Sequence, residues 1–273
     1  MARGSISNRH GPRNPRAAKA RAVNRSRTDA GEATVAPVAR CDLRVTDGSW
    51  SFSARNGPAI AAHWAKRRAE NPLLFDGVIH VMARHALADG VFGGVFQRTD
   101  FKSYLYWRDA GFPSPAPPEP SPRDCFGSAL IRSAEGHVLL GRQRAGNLNG
   151  GLAYPPGGFI DARDIRGDGS IDIDASIWRE IGEETGLGEA ELSRVPGYRA
   201  VFAGPLAAIA AEYRSPLPLE DLRRRVLAHI AGEPDSELAC AVIVREAADI
   251  EPATPEYAKA LLRAVLSRSL RRP

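Results

Sequence analysis

The chain has 273 residues, 43% of them hydrophobic and 25% charged, which is enough for a real core in one large domain or two modest ones. Its longest purely apolar run is the seven residues Leu238–Val244, far short of the roughly 18 to 20 that a membrane-spanning helix needs, so no membrane partner is expected. The net charge of +5 is concentrated at the start: residues 1–40 carry nine Lys or Arg against Asp29 and Glu32, leaving 28 basic and 30 acidic residues in a slightly acidic body.

Residues 1–40 contain few large apolar residues and no aromatics. Such a segment cannot offset the entropy of ordering, so a disordered basic tail is expected there. An Arg-rich tail can touch nucleic acid without specificity, and an Arg-rich, acid-poor start also has the composition of an organelle transit peptide. A dispensable extension is the preferred reading, with no specific nucleic-acid partner. The start lacks the apolar stretch of a secretory signal, and Cys41, Cys125 and Cys240 are odd in number, far apart and without a CxxC. A reducing, cytoplasmic setting is expected, with the cysteines as scattered thiols.

Residues 41–111 are expected to form a small α+β module. Leu43 to Ala54 (LRVTDGSWSFSA) reads as a hairpin turning at Asp47-Gly48, and Pro58 to Glu70 as a helix ended by Asn71-Pro72. Phe75 to Arg84 and Val91 to Arg98 read as strands joined by a turn near Asp89-Gly90, and Phe101 to Asp109 as a short helix whose Tyr104, Tyr106 and Trp107 supply core. Gly90, Gly93 and Gly94 do not make a GxGxxG, and His63, His80 and His85 lack the spacing of a zinc helix. Residues 112–122 hold six prolines in the eleven residues FPSPAPPEPSP and read as a semi-rigid linker.

From residue 123 to 273 the pattern is strand (CFGSALIRS), turn at Glu135-Gly136, strand (HVLLGRQR), glycine-rich loop, strand-like AYPPGGFID, then an acidic helix. Further strands are expected at Tyr198 to Phe202, Ala208 to Tyr213 and Leu238 to Val244, with helices at Leu219 to Ile230 and Pro255 to Leu270. The alternation implies an α/β/α sandwich.

The acidic helix poses the chemical question. Glu180, Glu183 and Glu184 fall at i, i+3 and i+4 and project from one face, where like charges repel. Only Arg179, four residues before Glu183, offers compensation, and a divalent cation would relieve the conflict. Gly186 suits a left-handed helix end with Leu187 packing back beyond it.

Gly157-Gly158 followed by REIGEETGL, residues 179–187, resembles the Nudix box of the Nudix hydrolase superfamily. A match of that many fixed residue types arises by chance on the order of once in ten thousand chains of this size. The resemblance covers roughly residues 122–270. It implies a Nudix α/β/α sandwich with a mixed sheet, and a hydrolase that uses Mg²⁺ or Mn²⁺ to cut a diphosphate. Glu180, Glu183 and Glu184 are then the metal ligands, and Arg179 orients Glu183. Gly157 and Gly158 let backbone approach beneath the helix. Arg142 and Arg144 are candidates for phosphate oxygens, and Glu237, just before LACAVIV, is a candidate general base.

The spacing departs from the family pattern. Gly158 to Arg179 spans 21 positions where the family has fourteen, so seven extra residues lie between Asp161 and Asp174. The sixth position after Gly158 holds Asp164 instead of Glu. Asp164, Asp172 or Asp174 could stand in for the missing glutamate, Asp174 could instead cap a helix beginning at Ala175, and the Gly- and Asp-rich insertion reads as a surface loop.

NPLLFDG, residues 71–77, in a dedicated N-terminal module together with an expanded box, is similar to Nudix enzymes that cleave UDP-glucose and UDP-galactose. The expected partner is therefore a small molecule linked to a nucleoside diphosphate, with ADP-ribose as the alternative substrate. A nucleotide-binding sensor without catalysis is the alternative class, disfavoured because all three helix glutamates are present.

Overall fold

The computed structural model describes residues 32–115 and 121–269. Residues 1–31 of the expected tail and 116–120 of the expected linker lie outside the described residues. Within the remainder of the tail the expectation of disorder fails: Thr34–Val38 is a strand, β1, paired antiparallel with Tyr198–Ala203, here called β9. Val38 is buried and Val35 half-buried, so the short apolar alternation finds a sheet to complete. Pro37 is tolerated because β1 is an outer strand, where a missing N–H breaks no ladder.

A second sheet follows. It consists of β2 (Arg40–Ser49), β3 (Val78–Ala88) and β4 (Val91–Asp100) in the order β2-β4-β3. Asp47-Gly48 does not turn a hairpin. β2 runs straight through it, parallel to β4, with a register shift between Val45 and Ser49, and Gly48 takes φ +98° in that irregular stretch. The segment beyond enters the short helix α1 (Ser51–Arg55). A bulge and a turn both call for glycine, and nothing local separates them. Asp89 and Gly90, both with positive φ, do form the two-residue turn between the antiparallel β3 and β4. Helix α2 (Gly57–Glu70) packs on α3 (Phe101–Asp109), whose first turn is capped by Asp100 accepting from Ser103 N. Trp107, Tyr104 and Trp50 form the module's buried aromatic cluster, as the composition of α3 suggested.

The main body is a mixed α/β layer structure. Its sheet has the order β1-β9-β10-β5-β6-β11, with β5 at Asp124–Arg132, β6 at Val138–Gln143, β10 at Leu206–Arg214 and β11 at Leu238–Val244. β5 and β10 are parallel and the other neighbours along this path are antiparallel. Two short strands complete it, β7 (Ala153–Tyr154) on β6 and β8 (Ser193–Arg194) on β10, so only the first two residues of the strand-like 153–161 join the sheet as a strand.

β10 shows why the sheet carries helices on both faces. Ala207, Ile209, Ala211 and Tyr213 point into the layer under α4 (Ile173–Thr185) and α5 (Leu219–Gly232), while Ala208 and Ala210 point into the layer under α6 (Glu256–Ser269). Alternating residues are thus both apolar, the mark of a strand buried on two sides. Ile173, Ile177 and Ile181 recur every four residues along α4 and form its buried stripe; full burial of a side chain such as Ile177 contributes about 1.5–3 kcal/mol. Opposite that stripe Gly127 leaves the room: a Cβ there would stand 2.7 Å from Ile177 Cγ1.

The two sheets are joined by a buried polar contact. The Tyr104 hydroxyl of α3 donates to Asp124 at the start of β5, 2.7 Å away. Burial pushes the Asp124 carboxyl up to about 6, against the pull of the Tyr104 hydrogen bond and the Arg108 charge. Because the folded value lies above the ordinary carboxylate value, Asp124 favours folding fully only below about pH 4, and that contribution is lost as pH rises through 6. Tyr104→Phe removes the donor that eases ionisation. It is expected to cost about 1–3 kcal/mol, with a larger drop in Tm at pH 8 than at pH 5; equal drops at both pH values would refute this account.

Candidate functional site

The site forms where α4 crosses the end of β6 and the glycine pair. Helix α4 begins at Ile173, and its cap is Asp172, which accepts from Ala175 N, not Asp174. Asp174 instead accepts from Tyr198 and Arg194. At the other end Gly186 adopts φ +68°, the left-handed stop expected from its sequence position.

Glu184 is buried, only 4% exposed. It accepts from Gln143 Nε2 at 2.9 Å and from Gly157 N at 3.2 Å. Burial first, then the charge of Glu180, push its carboxyl up to about 8. Glu180, one turn earlier, is pushed up to about 7, mainly by burial and partly by Glu183, while Arg179 pulls the other way. Glu183 is exposed at the rim and pairs with Arg163 at 3.2 Å.

The glycines are required by contact. A Cβ on Gly157 would fall 2.3 Å from the Gly127 carbonyl oxygen, and one on Gly158 would fall 2.4 Å from Glu180 Oε1. The loop can pass beneath the helix carboxylates only without side chains.

Arg179 binds both ways along this edge. One Nη donates to Glu180 Oε1 at 2.5 Å, and the other reaches both oxygens of Asp164 at 3.0 and 3.1 Å. Its distance to Glu183 is 3.6 Å, so its hydrogen bond goes to Glu180 and not to the glutamate it was expected to orient. Of the three aspartates that could replace the missing glutamate, Asp164 takes the place beside Arg179, and it is 2% exposed.

Arg142 and Arg144 separate. Arg142 is turned away to Glu251, at 2.6 and 2.7 Å, and to the Gly151 carbonyl. Arg144 stays beside the loop of Glu237: its amide donates to the Glu237 carbonyl at 2.8 Å and its guanidinium to Pro234 O at 2.9 Å. Glu237 is open to solvent on one side and crowded on the other, and burial followed by the Glu183 charge raises its carboxyl. The charge of Glu237 in turn raises both Glu180 and Glu184.

Residues the sequence did not single out complete the surroundings. Gln143 holds Glu184, and Asn147 bridges Gln143 Oε1 at 3.2 Å and the Glu237 carbonyl at 3.0 Å. Asn149 donates to the Tyr154 hydroxyl and accepts from Arg108 of the N-terminal module. Gln143 follows the outward Arg142 on β6, so strand alternation turns it toward the helix.

Among the described residues, no three His, Cys, Asp or Glu side chains are already gathered as a metal cage. The donor set nevertheless suits a hard divalent cation. Glu180 and Glu184 are low-exposure carboxylates whose ionisation burial opposes, and oxygen ligands of this kind are what Mg²⁺ and Mn²⁺ take.

No protein-family model matches the chain, and comparison with curated proteins gives no match. Solved structures similar to it include RenU, a Nudix hydrolase from M. smegmatis, with 18% identity over 55% of this chain and 89% of that one at a TM-score of 0.35. An Ap4A hydrolase from C. elegans shows 16% identity over 53% of this chain and 95% of that one at 0.37. A MutT protein from Methanosarcina mazei Go1 shows 20% identity over 55% and 96%, at 0.35. At these scores the similarity carries no argument about activity, which rests on the residues. Among the described residues no helix is long and apolar enough to cross a membrane.

The raised carboxyls have a measurable consequence in metal-free protein. Both folded values, about 7 and about 8, exceed the ordinary glutamate value of 4.5. The folded state therefore holds protons that the unfolded chain has released, and this contribution is full below pH 4.5 and lost as pH rises through 7 to 8. In chelator, Tm is expected to fall across that window, and Glu184→Gln is expected to flatten the fall. A Tm in chelator that rises between pH 5 and 8 would contradict the burial of these charges.

Proposed function

We propose that this chain is a Nudix-type pyrophosphohydrolase that hydrolyses the diphosphate of a nucleoside diphosphate derivative. The observation that carries this reading is the pair of buried carboxylates, Glu180 and Glu184, set over a side-chain-free Gly157-Gly158 loop inside the sequence REIGEETGL. A buried acidic pair beside a strip of bare backbone is an arrangement for an anion bound through cations, since a diphosphate alone would be repelled.

Glu180, Glu183 and Glu184 would hold Mg²⁺ or Mn²⁺, which when bound neutralises phosphate charge and acidifies water. Arg179 keeps Glu180 in place, and Gln143 and the Gly157 amide do the same for Glu184. Arg144, on the Glu237 side, is the stronger candidate to meet phosphate oxygens; Arg142, held by Glu251, is the weaker candidate. Glu237, with its raised carboxyl, takes the proton from the attacking water. The water oxygen bonds to one phosphorus, the bridging P–O bond breaks, and the bridging oxygen leaves with the other phosphate.

The particular substrate we assign is a nucleotide sugar such as UDP-glucose, giving a nucleoside monophosphate and a sugar phosphate. Support comes from the loop 71–77. Asn71 Nδ2 donates to Gly146 O at 3.0 Å, which fastens the loop to the segment that carries Asn147. The loop is pinned at its other end by Asp76 to Lys102 at 2.7 Å, yet Leu73 is 91% and Phe75 80% exposed. Apolar side chains held outward on an anchored loop beside the site suit a planar base or a sugar face. ADP-ribose meets the same chemistry and is the second reading. The intact set of helix glutamates favours catalysis over a nucleotide sensor.

Incubation of nucleoside diphosphate derivatives with the protein and Mg²⁺, with products identified by mass, tests the assignment; release of free sugar would contradict it. Glu184→Gln is expected to keep the fold and to lower turnover by orders of magnitude, and Glu237→Gln to lower kcat with metal affinity kept. Full activity of Glu184→Gln, or of the unaltered protein in excess chelator, would sink the metal-hydrolase reading. Phe75→Ala is expected to raise KM about tenfold at unchanged kcat if the ring stacks on the base; an unchanged KM would remove the loop from substrate binding.

A further inference from the structure

The seven extra residues of the expanded box are not a free surface loop. They are Ile165–Ile171, and they leave and rejoin the chain at one point: the Asp172 amide donates to the Asp164 carbonyl at 2.8 Å, and Ile165 bridges Ile171. The excursion is a small hairpin closed by Arg166 N to Ser170 O at 2.8 Å, with Gly169 at φ +80° in its turn. Removing it would restore the fourteen-residue spacing and leave Asp164 six positions after Gly158.

The hairpin lies along β2. The Val45 amide donates to Gly169 O and the Ile171 amide to Leu43 O, each at 2.9 Å, and Arg44 bridges Ser170. β2 is an outer strand of the N-terminal sheet, so the insertion extends that sheet by one short strand. On the other side of Asp164 the chain is fastened to β3, the opposite outer strand: the His80 amide donates to Ile160 O at 3.1 Å, and Ile79 bridges Asp161. Asp164 is thus held from both sides by backbone bonds to the module. Its side chain, which also accepts from the Asp161 amide at 3.0 Å, meets Arg179, and Arg179 holds Glu180.

We infer that the insertion is a strap through which the N-terminal module positions Asp164 and Arg179, and through them the Glu180 carboxylate of the candidate metal site. Asp164 is a positioning residue. The module, on this account, completes the metal centre as well as flanking the substrate. The inference rests on the proposed function only in taking Glu180 to bind a divalent cation. Two features make the strap more than a staple between domains. Asp164 is nearly inaccessible, so its carboxylate serves Arg179 and not solvent. The backbone hydrogen bonds that anchor the segments on either side of it go to a different sheet from the one that carries α4. Loss of the strap would free Asp164, and Arg179 would then be left to pair with Glu180 and Glu183 alone, in competition with the cation.

The test reads metal binding directly, by paramagnetic titration of Mn²⁺ into full-length protein well below its melting temperature. Three changes are compared: excision of residues 165–171 with Asp164 joined to Asp172; Gly169→Val, which keeps chain length but strains the turn at positive φ; and Asp164→Asn beside Asp164→Glu. Excision, Gly169→Val and Asp164→Asn are each expected to weaken Mn²⁺ binding about tenfold or more, as loss of a partner behind a metal ligand does. Asp164→Glu keeps the carboxylate and is expected to restore most of the affinity. Wild-type Mn²⁺ affinity in the folded excised protein would overturn the strap. Should excision prevent folding, Gly169→Val with wild-type affinity overturns it in the same way. Absence of Mn²⁺ binding by the unaltered protein would overturn the proposed function and this inference with it, a pattern distinct from equal binding by all forms.

Discussion

Glu180 and Glu184 lie one turn apart on the inward side of α4; burial raises both carboxyls, and the charge of Glu180 raises that of Glu184 further. In water two such groups at helical spacing repel by only a few tenths of a kcal/mol. With burial the penalty grows, because the protein replaces water around both. The surrounding structure answers this with oriented donors. Gln143 and the Gly157 amide reach Glu184, and Arg179 reaches Glu180. The Arg179 guanidinium, shared with Asp164, and two neutral donors do not balance Glu180 and Glu184 with Glu237 close by. The Glu180 and Glu184 carboxyls stay raised, a charge deficit that a divalent cation would relieve.

The fold makes that arrangement rigid. α4 is seated by Ile173, Ile177 and Ile181 on the parallel pair β5 and β10, and Gly127 lets the helix settle close. The same close approach forbids side chains at Gly157 and Gly158, since one would strike the β5 backbone and the other Glu180 itself. Packing and chemistry therefore impose the glycines together. A loop with bare amides is left next to the acidic pair, and an anion held by cations can approach it without steric obstruction.

Local sequence signals read well where the physics is local. The Gly186 stop, the Asp89-Gly90 turn, the aromatic core of α3 and the helix face of the three glutamates all depend on residues within a few positions of each other. Reading failed where partners are distant. Thr34–Val38 carries too little apolar surface to order itself and becomes a strand only because β9 offers an open edge. Asp47-Gly48 has the composition of a hairpin turn, but β2 finds its partner in β4, parallel and far along the chain. Gln143 is a neutral residue between two arginines and carries no charge signal of its own; only strand alternation, which turns Gln143 inward and Arg142 outward to Glu251, reveals it. For Asp164, Asp172 and Asp174 the sequence left the roles open. Their assignment to Arg179, the helix cap and the Tyr198–Arg194 pair depends on which of them is buried beneath the helix.

Residues 165–171 and the N-terminal module act as one structural feature. A three-stranded sheet with order β2-β4-β3 exposes two edges, each a row of unpaired backbone groups that invites pairing with another chain. Here β3 is occupied at Met82 by Arg123 and at Ile79 by Asp161, and β2 is occupied at Arg44 by Ser170. The main domain supplies all three contacts, and two of them come from the segment between Gly158 and α4. Without residues 165–171 the segment has nothing to offer β2, because Asp164 and Asp172 would be direct neighbours. Seven added residues reach the second edge and return to the same hydrogen bond, so the helix and its carboxylates keep their register while the module gains a fixed place beside them.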